Sequence, residues 1–306
     1  MISFETIINE KDKSKRDILI KEKLDELNAS CSDLDIRTKH IVAGFISKNS
    51  KVHFSDFHTD IELGLFSIYG MKAEDYFYEF FDFLSEHNIT TKQDAVRFIS
   101  SFLKQYFGEQ GIKKYTREML YDNIHKQLIA MADDTERFKK CSEDWQDIGV
   151  FKNMSAAECS EFACVAQNLL TFCDIDSCYI TGHIKSKDME EDHAYNMFKL
   201  DGEYYLFDPS NPYNLFDNNC NYVGCKSYFF RINKEKLNDF LQNQFAFNFP
   251  KYNFMKKEDG SLIQIQKDIF SYTTTGKFLN KDELNEFFDT NNKTLTQLLV
   301  FYYVII

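Results

Sequence analysis

Apolar and polar positions follow two different periods along this chain, and the change of period falls near its middle. In residues 73–87 the side chains of Tyr76, Phe77, Phe80, Phe81 and Leu84 recur at spacings of three and four, which gathers them on one face of a helix. Similar stretches run through residues 16–27, 93–107 and 116–131. The three prolines of the chain all come after residue 208, so no proline interrupts these helices. Over residues 139–152 the character changes. One more helical stretch, 155–172, is followed by short runs that alternate or are rich in β-formers at 177–183, 194–200 and 203–207. Asp201-Gly202 separates the last two and is a strong signal for a two-residue hairpin, whose turn needs positive φ at both positions.

Beyond Pro212 the pattern predicts an Asn- and Asp-rich loop over 215–224, a strand over 228–232 and a helix over 234–241. A second alternating run over 261–266 predicts another strand, and 281–288 reads as a helix. Helices first and antiparallel strands after predict an α+β fold. The divisions are a helical unit over residues 1–138, a core over 139–250, and C-terminal strands and a helix over 251–306 packed on that core.

At 306 residues the chain can bury an enzyme-sized core, and 43% hydrophobic with 27% charged residues is ordinary for a globular protein. A net charge of -12, from 36 basic and 48 acidic side chains, argues against nucleic acid as a partner, because gripping a phosphate backbone needs an excess of Lys and Arg. Residues 1–23 hold no uninterrupted apolar segment of the kind a secretory signal needs. The apolar run 298–306 is too short to span a bilayer. A cytoplasmic location and no membrane partner are therefore expected.

The eight cysteines are too sparse for a disulfide framework and are expected as free thiols. No Cys-x-x-Cys pair occurs, and the pairs 159/164, 173/178 and 220/225 leave four residues between their members, at the margin of structural-zinc spacing. No metal and no cofactor are expected, and no glycine-rich phosphate loop is present.

Three local contexts carry the candidate chemistry. Cys159 falls near the start of the helix predicted over 155–172, where Ser155 is a candidate N-cap and Glu158, three residues on, would complete a capping box. A helix N-terminus and a nearby imidazolium both stabilise a thiolate. His193 follows 34 residues later at the start of a predicted strand, and Asp208 lies 15 residues further on at the end of the next one. The hairpin at Asp201-Gly202 folds these two strand ends together, so Asp208 could orient the His193 imidazole as the third member of a triad. His183 is a rival base and Cys164 a rival nucleophile. Cys164 recurs with Val165 and Leu169 on an apolar face and reads as core, and His183 lacks the Ala-aromatic-Asn context that follows His193.

These residues resemble the transglutaminase-like cysteine enzymes of the papain-like clan. That superfamily carries a helix-borne Cys followed by an acidic residue, an aromatic and Ala, then a V-x-G strand, H-A-W-N, and D-G-x-W-Y-x-x-D-P-[ST]. Here the stretches read Cys159-Ser160-Glu161-Phe162-Ala163, Ile180-Thr181-Gly182, His193-Ala194-Tyr195-Asn196 and Asp201-Gly202-Glu203-Tyr204-Tyr205-Leu206-Phe207-Asp208-Pro209-Ser210. The resemblance covers roughly residues 140–215. It implies a helix packed on an antiparallel sheet, with Cys159 as nucleophile, His193 as general base and acid, and Asp208 as orienter. Tyr195 and Tyr204 stand where tryptophan is common, and Ala157-Glu158 replaces the usual glycine before the cysteine. No oxyanion donor stands out; the backbone N–H of Cys159 is one candidate, Gln146, Trp145 and Tyr195 are side-chain candidates for that role or for substrate contact.

The expected activity is cysteine-dependent acyl transfer or hydrolysis of a peptide, isopeptide or glutamine amide through a Cys159 thioester, with a peptide or protein as substrate. The alternative from another class is a non-catalytic peptide-binding or scaffold protein on the same fold. Arylamine N-acetyltransferase-like chemistry also uses Cys, His and Asp, but the Arg-Gly-Gly that would precede Cys159 is missing.

Overall fold

A computed structural model describes residues 2–30, 45–47, 75–108, 157–233, 235–237 and 246–274. The helices are α1 (Phe4–Ile8), α2 (Lys13–Ser30), α3 (Asp75–Glu86), α4 (Lys92–Phe107) and α5 (Cys159–Phe172). The strands are β1 (Phe45–Ser47), β2 (Asp176–Lys185), β3 (Glu190–Leu200), β4 (Glu203–Phe216), β5 (Tyr222–Ile232), β6 (Phe247–Lys256) and β7 (Leu262–Thr274). The fold is α+β, with a mainly antiparallel seven-stranded sheet whose first strand, β1, lies between α2 and α3 and whose other six strands follow α5. The predicted helices 116–131 and 281–288 and the apolar run 298–306 lie outside the described residues.

The sheet closes on itself. Strands pair in the order β2-β3-β4-β6-β7, and β7 returns to β2 through Gly182↔Thr274 to Lys185↔Ser271, making a five-stranded barrel. β1 and β5 extend it from β2 and β4. Closure follows from β4, which pairs with β3 only as far as Asn196↔Phe207 and then leaves it to meet β6 at Leu215↔Phe254. Pro209 and Pro212 sit in the irregular stretch between Asp208 and Tyr213, where having no N–H to give a ladder does no harm.

Two apolar clusters follow from the alternation of side chains along the strands. Ile180, Ile184, Tyr195, Met197, Leu206, Phe249 and Tyr272 fill the barrel. Ala194, Phe198 and Phe207 point the other way, into a second core shared with the helices. Aromatic contacts lock α5 into that core: Phe172 lies 5.0 Å from Phe77 and 5.4 Å from Phe81, and Phe162 lies 5.4 Å from Phe107. Among the described residues no helix is long and apolar enough to cross a membrane.

The hairpin falls where the dipeptide predicts it. Leu200 pairs with Glu203, and Asp201 and Gly202 take φ of 52° and 80°. A Cβ at Gly202 would meet no atom within 4 Å, so Gly202→Ala tests backbone conformation alone. The expected loss is about 1 kcal/mol, read from the urea midpoint at unchanged slope.

Three expectations are corrected. The loop placed over 215–224 shrinks to the turn between Phe216 and Tyr222, because Leu215 and Phe216 continue β4 and Tyr222 opens β5. β6 was not expected; Pro250 within it weakens the strand pattern. The helix that carries Cys159 starts later than residue 155; Ser155 itself lies outside the described residues. That helix begins at Cys159, with Glu158 as its cap.

Candidate active site

Cys159 is the first residue of α5. Glu158 enters in an extended conformation, and its backbone N–H donates to Glu161 Oε2 at 2.8 Å, closing a capping box one turn later than Ser155 would have placed it. The first N–H groups of a helix have no intrahelical acceptor and carry the positive end of its dipole. The Cys159 side chain is partly exposed there.

Two lengths bring this thiol level with His193. α5 spans 14 residues, about 20 Å at 1.5 Å per residue, and the chain then turns back into β2. The six steps from Asp176 to Gly182 cover about 20 Å in the opposite direction. Gly182 pairs with His193 across the β2–β3 ladder. Asn196, three residues after His193, ties the two elements together: its Nδ2 donates to the Ala163 carbonyl of α5 at 3.0 Å and to Gln167 Oε1 at 3.4 Å. Gln167 in turn donates to Ser177 on β2 at 3.0 Å.

His193 and Asp208 both sit just past the end of the β3–β4 ladder, where the strands part. They meet diagonally rather than face to face. His193 Nε2 donates to Asp208 Oδ2 at 2.9 Å, with both side chains fully buried. The irregular stretch after Asp208 wraps the carboxylate. Oδ1 accepts from the Ser210 hydroxyl at 2.8 Å and from the backbone N–H groups of Ser210 and Asn211 at 3.2 Å each. Oδ2 accepts, besides the imidazole, Asn211 Nδ2 at 2.9 Å and the Tyr272 hydroxyl at 2.8 Å. Asp208 is therefore both a turn-forming residue and the partner of the histidine.

This arrangement favours the charged pair. Burial is the largest influence on His193 and disfavours its charge, but the Asp208 carboxylate, its hydrogen bond and the Cys159 side chain outweigh it and raise the imidazole to about 10. Burial likewise pushes Asp208 up, and His193 with the donors Tyr272 and Asn211 overcomes this to hold the carboxyl well below its usual range. With Nε2 committed to Asp208, Nδ1 is the nitrogen left for the thiol. Cys159 acts on the ring through a side-chain contact and its charge, yet among the described residues no group meets Nδ1 at ordinary hydrogen-bond length and angle. The contact between Cys159 and the ring is therefore longer or more bent than an ordinary hydrogen bond.

The other candidates separate from this group. The Tyr195 hydroxyl donates to the Thr273 carbonyl at 2.9 Å while its ring stacks on His193 at 6.1 Å; Tyr195 packs against the imidazole. His183 faces outward, 52% exposed, with its Nδ1 2.8 Å from Asp192 Oδ1. Cys173 is fully buried, and burial pushes its thiol far up. Cys159, Cys173, Cys220 and Cys225 are free thiols. Gln146, Trp145 and the side chain of Cys164 lie outside the described residues. Among the described residues no group of three His, Cys, Asp or Glu side chains could hold a metal ion.

Tyr272 and Asn211 were missed. Asn211 carries the ordinary signal of an Asx-type turn beside two prolines. Tyr272 lies 64 residues from Asp208, and no local pattern marks it. No protein-family model, curated protein or solved structure matches the chain.

Proposed function

We propose that this protein is a cysteine-dependent acyl transferase or hydrolase of the transglutaminase-like type, acting on a peptide, isopeptide or glutamine amide. The observation that carries this reading is the His193–Asp208 pair, buried and 2.9 Å apart, with the remaining imidazole nitrogen available to a partly exposed thiol at a helix N-terminus. In this scheme the Cys159 sulfur attacks the carbonyl carbon while the N–H groups that open α5 face the developing oxyanion. The imidazolium then gives its proton to the departing amine, leaving a thioester on Cys159. Water or a second amine next attacks the thioester carbonyl and loses a proton to His193. Sulfur leaves, and the starting form returns.

Iodoacetamide labelling of the native protein between pH 5 and 9, located by mass spectrometry, tests this. Cys159 is expected to label before the buried Cys173, and His193→Ala to slow labelling of Cys159 by at least about tenfold at pH 7. Labelling spread over several cysteines and indifferent to His193 would instead favour a non-catalytic binding protein.

A further inference from the structure

We propose that Tyr272, together with Asn211, is a positioning residue of this site: the two side chains occupy the Oδ2 lone pairs that His193 shares and so hold the carboxylate at its angle to the ring. This role rests on the thiol-enzyme reading above.

Tyr272 reaches Asp208 from β7, outside the stretch that resembles the transglutaminase-like enzymes. Its hydroxyl oxygen is 2.8 Å from Oδ2, its ring lies 6.1 Å from that of His193, and it is fully buried. A packing tyrosine at this depth would need only some acceptor; this one has the atom that also binds the base. Asn211 completes the set from the bulge, donating to Oδ2 at 2.9 Å while its own carbonyl accepts from Lys251 Nζ at 3.2 Å. Closure of the barrel thus supplies a part of the site that the β3–β4 hairpin does not contain.

The titratable and charged groups bearing on Asp208 come from every neighbouring strand: His193 on β3, Tyr228 on β5, Lys251 on β6 and Tyr272 on β7. Cys159 on α5 acts through His193. Burial keeps both tyrosines protonated across the ordinary pH range, so Tyr272 donates and does not accept. Without that donor the carboxylate takes up a proton at higher pH, and His193 loses its counter-charge earlier on acidification.

The test compares Tyr272→Phe and Asn211→Ala with wild type in the full chain, reading the iodoacetamide rate at Cys159 against pH and the urea midpoint at pH 7. Tyr272→Phe keeps the ring and its apolar contacts. The expected result is a rate about tenfold lower at pH 7 and an acid limb moved upward by on the order of one pH unit. Asn211→Ala should move the limb the same way from a half-buried position, which carries the test should Tyr272→Phe not fold. In an Asp208→Asn background neither change should have a further effect. Selective, His193-dependent labelling in wild type beside unchanged rates and profiles in both variants would overturn the positioning role alone, as would effects that persist with Asp208→Asn. Unselective labelling of wild type would overturn the thiol-enzyme reading and this role with it.

Discussion

Asp208→Ala is expected to lower the stability of the folded protein by about 3–5 kcal/mol near pH 6, measured by urea unfolding. Among the described residues six hydrogen bonds end on this carboxylate, and its removal strands a buried imidazolium. Against a typical total of about 5–15 kcal/mol this is a large share. The pH dependence gives the prediction a sign. In wild type the His193 affinity is raised, so its contribution is complete below its ordinary value near 6.5 and is lost as pH rises toward about 10. The Asp208 affinity is lowered, so its contribution is present above its ordinary value near 3.8 and is lost as pH falls below it. Wild-type stability from this pair should therefore peak between about pH 4 and 6.5. Without the carboxylate, burial becomes the dominant influence on His193 and favours the neutral ring. The slope then reverses, and Asp208→Ala gains stability as pH rises through 6.5. A variant whose deficit is the same at pH 5.5 and pH 9 would show that the buried ion pair is not what Asp208 contributes.

Cys159→Ala should abolish acyl-enzyme formation. With p-nitrophenyl acetate as an activated donor, the Cys159 sulfur is expected to displace p-nitrophenolate and retain the acetyl group, giving a burst followed by slow turnover. Loss of the nucleophile in a site of this kind lowers the rate by roughly 10⁴-fold or more. The burst and the acetylated Cys159 peptide should both vanish in Cys159→Ala. His193→Ala retains the sulfur but not its proton partner, and should show the same loss within about tenfold because the two act as one unit. A burst that survives Cys159→Ala would move the nucleophile elsewhere. The part of the variant's behaviour that concerns folding should be small, since the side chain is partly exposed and the helix cap belongs to Glu158 and Glu161.

Much of the fold could be read from neighbours in sequence. The aromatic stripe of α3, the helix carrying Cys159 and the Asp201-Gly202 turn each depend on interactions within a few residues, where side-chain periodicity and allowed φ decide the outcome. The same holds for the approach of His193 to Asp208, because the hairpin between them has a register set by its turn. It also holds for the turn that wraps Asp208, although only its turn-forming character was recognised. The start of α5 was misplaced because Ser155 with Glu158 three residues on fits the capping-box pattern, whereas the box is closed by Glu158 and Glu161, a pair the pattern does not favour at the cap.

Contacts between distant parts of the chain were decided by the tertiary structure. Nothing near Tyr272 shows that β7 returns to β2, so neither the closed barrel nor the third donor to Asp208 Oδ2 could be anticipated. The level of Cys159 with His193 depends on the lengths of α5 and β2 and on Asn196 binding the helix to the sheet. The charge state of the site arose in the same way: Asp208 and His193 are ordinary titrating groups in an open chain. Burial together, at 2.9 Å and with every carboxylate lone pair occupied, makes them a stable ion pair, because only there is water replaced by fixed partners.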